Sequence, residues 1–170
     1  MVIIREVHPG EQTVTGELRV AAYRSLGLLP EGSVYADTLR GFGFGFGGDA
    51  DCTVLVAVDE AGEIVGTVAF EPFGPDSELA RDKTEADVRA FAVSARSQGQ
   101  GVGQRLLTTV IEHAAGRGIR TLRLCTQPAM TTAQRLYTAA GFIRTPDFDF
   151  EPVPGLTLRA YELTLAGDAG

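Results

Sequence analysis

The stretch Val93-Ser-Ala-Arg-Ser-Gln98-Gly99-Gln-Gly101-Val-Gly103-Gln-Arg-Leu-Leu decides how this chain is read. An apolar run, Val88 to Val93, leads into it. An amphipathic run follows, with Val102, Leu106, Leu107, Val110, Ile111 and Ala114 at helical spacing. The order is strand, glycine loop, helix N-terminus. Glycines let backbone N–H groups come close to a ligand, and a helix N-terminus carries roughly half a positive charge. Together they predict a site for a phosphate or pyrophosphate, held on the backbone from Gln98 to Gln104.

Two common nucleotide sites do not fit. A dinucleotide fingerprint requires G-x-G-x-x-G, and the third glycine is replaced by Gln104 in one register and Leu106 in the other. The acidic residue expected about 20 positions on is also absent, since the next strand ends Cys125-Thr126. A P-loop requires Gly-Lys-Ser/Thr, and no lysine is near. A flavin- or nucleotide-dependent oxidoreductase is therefore disfavoured.

Composition narrows the partners. The chain has 170 residues and 44% hydrophobic content, which predicts one domain, residues 1–170, with a core of its own. No apolar run approaches the roughly 18 residues that span a bilayer, so no membrane partner is expected. The start, Met1-Val-Ile-Ile-Arg-Glu, lacks a secretory pattern, and a cytoplasmic location is expected. Lys+Arg is 15 against Asp+Glu 22, a net charge of −7, which argues against nucleic acid and favours a cationic small partner. His8 and His113 are isolated and no Cys/His cluster has zinc spacing, so no metal is expected. Cys52 and Cys125 lie in apolar runs and read as buried thiols.

Along the chain, Val2–Val7 reads as a strand, and Glu11–Leu26 and Val34–Leu39 as helices. Gly41–Gly48, where three phenylalanines alternate with glycine, reads as a loop in a position to lie over a ligand. Thr53–Val58 and Ile64–Phe70 form a hairpin. Pro75–Ala86 reads as irregular or briefly helical. Thr121–Cys125 and Leu156–Leu165 are strands, and Thr131–Ala140 is a helix closed by Gly141. The expected class is α+β, a mixed, mostly antiparallel sheet flanked by helices.

Gln98-x-x-Gly101-x-Gly103, with Arg96-x-x-Gly99-x-Gly101 as a second register, resembles motif A of the GNAT acetyltransferase superfamily. The resemblance continues downstream. Ala133-Gln-Arg-Leu136-Tyr137-Thr-Ala-Ala-Gly141-Phe142 is similar to that family's Ala-x-x-Leu-Tyr-x-x-x-Gly-Phe element. It spans roughly Val54 to Phe142 and implies a GNAT-like sheet and an N-acetyltransferase. The co-substrate would be acetyl-CoA, its pyrophosphate on the loop from Gln98 through Gly99, Gln100, Gly101, Val102 and Gly103 to Gln104. It implies a bulged, splayed strand whose backbone at Phe91, Ala92 and Val93 receives the pantetheine arm. Tyr137 is implied as the general acid that protonates the departing thiolate. A carboxylate on the strand before the loop is implied as base, here Asp87 or Glu85, with Glu71 on the preceding strand as an outside candidate. One departure is Met130, which stands where many relatives carry Asn.

The acceptor has no motif. A primary amine of a small molecule or peptide is expected, and Pro146–Glu151 offers alternating acids and aromatics as a rim for it. A non-catalytic acyl-CoA-sensing domain and a transferase of longer acyl chains are the alternatives. A homodimer stays open.

Overall fold

Val65 through Glu71 are buried without a gap, so both faces of their strand are covered. The cover comes from helices laid on the two sides of one sheet, and it is this burial that arranges the rest. The computed structural model describes residues 1–29, 32–44 and 51–165. The strands are β1 (Ile3–Glu6), β2 (Thr53–Val58), β3 (Ile64–Pro72), β4 (Glu85–Val93), β5 (Thr121–Thr126), β6 (Ile143–Arg144), β7 (Phe150–Val153) and β8 (Leu156–Thr164). The helices are α1 (Gln12–Ser25), α2 (Tyr35–Gly41), α3 (Val102–Gly116) and α4 (Thr131–Ala139).

The sheet runs β1-β2-β3-β4-β5-β8-β6, with β7 paired to β8. Every neighbouring pair is antiparallel except β4 and β5, which are parallel because α3 carries the chain across between them. Val102, Leu106, Val110 and Ala114 of α3 pack on Leu55, Val68, Phe70 and Leu122 in the main core. α1 packs on β3 and β4, and its Val20 joins Leu29, Ala36 and Leu39 in a smaller core under α2. No helix among the described residues is long and apolar enough to cross a membrane.

Two local irregularities open the sheet. In β4, the four residues from Arg89 to Ala92 span the distance that the three from Thr67 to Ala69 cover in β3. The extra residue makes a bulge at Ala90, whose φ of +50° is the left-handed value that residues other than glycine seldom adopt. The second irregularity is a divergence. β4 and β5 pair only at Glu85–Thr121, Ala86–Leu122 and Asp87–Arg123, although both continue beyond. Their ends therefore spread apart and leave a wedge in the sheet.

Several expectations move. β4 begins at Glu85, earlier than the apolar run suggested, and Pro75–Thr84 is a chain of turns without a helix. Cys52 and Cys125 are half-buried where buried thiols were expected: Cys52 lies just before β2, and Cys125 lines the opening between β4 and β5. Gly41 closes α2 and Phe42 to Phe44 turn away from it, whereas Gly45 to Gly48 fall outside the described residues.

Candidate active site

The glycine loop and the wedge build two cavities that share a wall. The loop comes first. The N–H of Ser94 is still bonded to the Val65 carbonyl at 2.8 Å, and a 3-10 turn at Ala95–Ser97 then lifts the chain off the sheet. Gly99 and Gly101 take φ of +76° and +81°, which turns the chain into α3 at a left-handed step. The first bond of the helix runs from the N–H of Arg105 to the carbonyl of Gly101, at 3.1 Å. The N–H groups of Val102, Gly103 and Gln104 thus have no partner within the helix.

These donors face a groove of about 240 Å³ between the loop, the end of β4 and the start of α4. Phe91, Ala92, Val93, Gln98, Gly99, Gly101, Val102, Gly103 and Gln104 all line it. Gln100 does not: its side chain folds back to donate to the Arg96 carbonyl at 3.3 Å, and it borders a separate outer hollow. The groove fits a diphosphate: it has backbone donors, a helix N-terminus and no acidic side chain among its described lining residues.

The second cavity, about 460 Å³, fills the wedge between β4 and β5. Its walls come from β4 itself, Val88 to Phe91, from Met130 and Tyr137 at α4, and from four further places: Tyr23, Leu28, Ser33 and Tyr35 near α1 and α2; Glu78 before β4; Cys125 to Gln127 after the divergence; and Pro152, Leu156 and Leu158 of the last hairpin. Tyr23, Phe91 and Met130 line both cavities, so the two adjoin there.

Tyr137 also lines this cleft. It is 4% exposed, and its ring is fixed by Phe91, Phe142 and Tyr161 at centroid distances of 5.8, 5.9 and 6.2 Å. Among the described residues nothing hydrogen-bonds its hydroxyl. Burial pushes the phenol well above its ordinary value, so it stays protonated at neutral pH and has a proton to give.

The three sequence-predicted carboxylates take different places, and none of them lines the cleft. Glu85 sits at the paired foot of β4, gripped by Arg123 through contacts of 3.0 and 3.1 Å. That grip holds its carboxyl below the usual range. Glu71 is buried and bonded to Arg89 at 3.3 Å, and it faces an outer groove instead. Asp87 is fully buried behind the cleft wall. Its Oδ2 accepts the N–H of Leu79 at 3.0 Å, while its Oδ1 has no partner among the described residues. Burial raises its carboxyl to about 6, close to the pH at which a base is useful.

Sequence reasoning missed Glu78, the carboxylate that does line the cleft. Its Oε1 accepts a hydrogen bond from the thiol of Cys125 at 3.1 Å. Nothing in a charged, turn-rich segment singles out one glutamate, and only the tertiary fold brings it opposite β5. Met130 stands at the N-terminal cap of α4 without a side-chain capping bond, so its thioether packs along both cavities where an Asn would have bonded backbone.

This geometry has relatives. The model of the acetyltransferase (GNAT) family matches residues 20–142. An uncharacterized N-acetyltransferase of Schizosaccharomyces pombe is 28% identical over 111 residues, 65% of this chain and 64% of that protein, so the chain spans just under two thirds of its length. An acetyltransferase of the GNAT family from Staphylococcus aureus Mu50 superposes with a TM-score of 0.77 over 98% of this chain and 100% of its own, at 18% identity. The structure of yncA from Salmonella typhimurium with its cofactor acetyl-CoA superposes with a TM-score of 0.72 over 100% of this chain and 97% of its own, at 19% identity. With motif A on the loop into α3, the Leu136-Tyr137 element on α4 and the family model matched across both, the chain belongs to the GNAT family of acetyltransferases.

Proposed function

We propose that residues 1–170 act as one domain that moves an acetyl group from acetyl-CoA directly to a primary amine of a small molecule or peptide. The observation that carries this reading is the meeting of the two cavities at Tyr23, Phe91 and Met130, with Tyr137 on the cleft side. The backbone of Gly99 to Gln104 holds the diphosphate, and the bulged edge of β4 at Phe91 to Val93 receives the pantetheine arm. The thioester then reaches the seam.

There the amine nitrogen bonds to the thioester carbonyl carbon and the carbon–sulfur bond breaks. Tyr137 gives its hydroxyl proton to the departing sulfur and regains one from the acylated nitrogen as the amide forms. Asp87 takes the ammonium proton through a bridging water, because its carboxyl lies behind the wall. Glu85 has no step, since Arg123 occupies both its oxygens.

The test is release of free thiol from acetyl-CoA over a panel of primary amines, paired with the mass of one acetyl group gained by the amine. Saturable release with acetylated product is expected. Binding of acetyl-CoA with no transfer to any amine would support the sensing alternative, and a higher kcat/KM with a longer acyl-CoA would support the other.

A further inference from the structure

We infer that Glu78 is the residue on which the acceptor's ammonium docks, and that the acceptor is a primary amine on an apolar, otherwise uncharged body. This rests on the transfer reading above and adds the acceptor class and its binding group.

Among the described residues lining the cleft, only Glu78 and Arg89 carry charge. Arg89 is already committed. It bonds Glu71 at 3.3 Å, stands 3.7 Å from Glu78 Oε2 and stacks on the Phe42 ring at 4.5 Å. One guanidinium between two carboxylates leaves the trio net negative, so it favours a cation and disfavours a carboxylate on the ligand.

Glu78 is differently placed. Oε1 is fixed by the Cys125 thiol at 3.1 Å. That thiol keeps its proton, since burial and the neighbouring Glu78 push its pKa up. Oε2 lies 3.7 Å from the nearest guanidinium nitrogen, beyond hydrogen-bond reach, and no described residue donates to it. The carboxylate is thus oriented by one oxygen and open through the other. An ammonium gives it the charge-assisted hydrogen bond it lacks. Apart from the uncharged polar Ser33, Thr126 and Gln127, the remaining walls are mainly apolar, with Leu28, Val88, Phe91, Leu156, Leu158 and the Tyr35 ring among them. They match hydrocarbon or an aromatic ring, and they offer a second charge nothing to pair with.

The test uses the full chain with coenzyme A bound and three probes in calorimetry: 2-phenylethylamine, L-phenylalanine, which adds a carboxylate, and spermidine, which adds further cations. Phenylethylamine should bind tightest. Glu78→Gln should weaken its binding about tenfold or more, and Glu78→Asp should recover part of the loss. In the transfer assay the same loss should appear in the KM for the amine more than in kcat. Coenzyme A affinity and the melting temperature should not move, which separates docking from a folding defect.

Phenylalanine or spermidine binding as tightly as phenylethylamine overturns the acceptor class. Unchanged amine binding in Glu78→Gln, or a loss confined to kcat, overturns the docking residue. Failure of the transfer reading looks different: the wild type would bind the amine and lose that binding in Glu78→Gln, yet release no thiol.

Discussion

The glycine-loop groove and the wedge cleft, proposed as donor and acceptor sites, are neighbours built by opposite means. The groove's polar groups are backbone, with two left-handed glycines, three N–H groups unpaired within the helix and a strand edge from one stretch of chain, while α1 and the start of α4 close its sides. The cleft is made of side chains gathered from segments far apart in sequence, and a single bulge and strand divergence give it room. A backbone site suits a ligand that stays the same, since most substitutions leave N–H groups where they are. A side-chain site can change its ligand with one substitution. Mutations should therefore separate the two regions, each disturbing one and sparing the other, except where the wall is shared.

Tyr137→Phe should give the largest effect. The ring contacts with Phe91, Phe142 and Tyr161 survive the loss of one oxygen, so folding and donor binding should hold. Only the hydroxyl proposed as proton donor goes. General acid catalysis typically contributes about 10²- to 10⁴-fold, and kcat should fall by that order with the KM for acetyl-CoA unchanged. Steady-state kinetics decides it: a kcat within a few-fold of wild type removes Tyr137 from the mechanism and leaves the groove's assignment standing.

Asp87 comes next, and pH exposes it. Burial raises its carboxyl in the folded state from 3.8 to about 6, so the folded protein favours the neutral acid. Its stabilising contribution is complete below pH 4 and is lost as pH rises through about 6. At about 1.4 kcal/mol per unit, the full loss is about 3 kcal/mol. In denaturant melts, the unfolding free energy of wild type relative to Asp87→Asn should fall by about 2 kcal/mol between pH 4.5 and 7.5, the larger part of that loss. The difference isolates Asp87 from groups of opposite sign such as Glu11, which Arg5 holds at about 2 and which loses stability only as pH falls. In kinetics, the rise in kcat/KM centred near pH 6 should vanish in Asp87→Asn. A surviving rise assigns the base elsewhere.

Legibility in the sequence divides the same way. The loop, α3, α4 and the strand before the loop stand in the sequence because glycine spacing and apolar periodicity are local signals. The bulge leaves no such mark: Ala90 adopts φ +50° because the surrounding sheet holds it there, not because alanine prefers it. Asp87 was readable as a strand carboxylate, but not the Leu79 N–H that roofs it. Glu78 was one acid among several between Pro75 and Ala86, and only the crossing of that segment over Cys125 distinguishes it. Glu85 carries the reverse lesson. Same-strand position made it a candidate, and Arg123, 38 residues away in sequence, occupied it.

The smallest effect tests the shared wall. Two glycines of the loop do different work. Gly101 is needed for its left-handed φ of +81°, and a Cβ there would meet nothing within 4 Å. Gly103 has ordinary helical geometry, and a Cβ there would lie 2.9 Å from Leu136 Cδ1 and 3.2 Å from Phe91 Cζ. Each alanine substitution should destabilise by about 1–2 kcal/mol, the first through backbone strain and the second through overpacking. Their functional signatures should part. Gly101→Ala turns the N–H donors and should weaken acetyl-CoA binding alone. Gly103→Ala pushes on Phe91, which lines both cavities and stacks on Tyr137, so it should weaken acetyl-CoA binding and raise the KM for the amine together. Calorimetry with acetyl-CoA and amine-dependent kinetics on the two variants measure this directly. An amine KM untouched by Gly103→Ala would mean that Leu136 alone absorbs the added methyl, and that Phe91 does not couple the groove to the cleft.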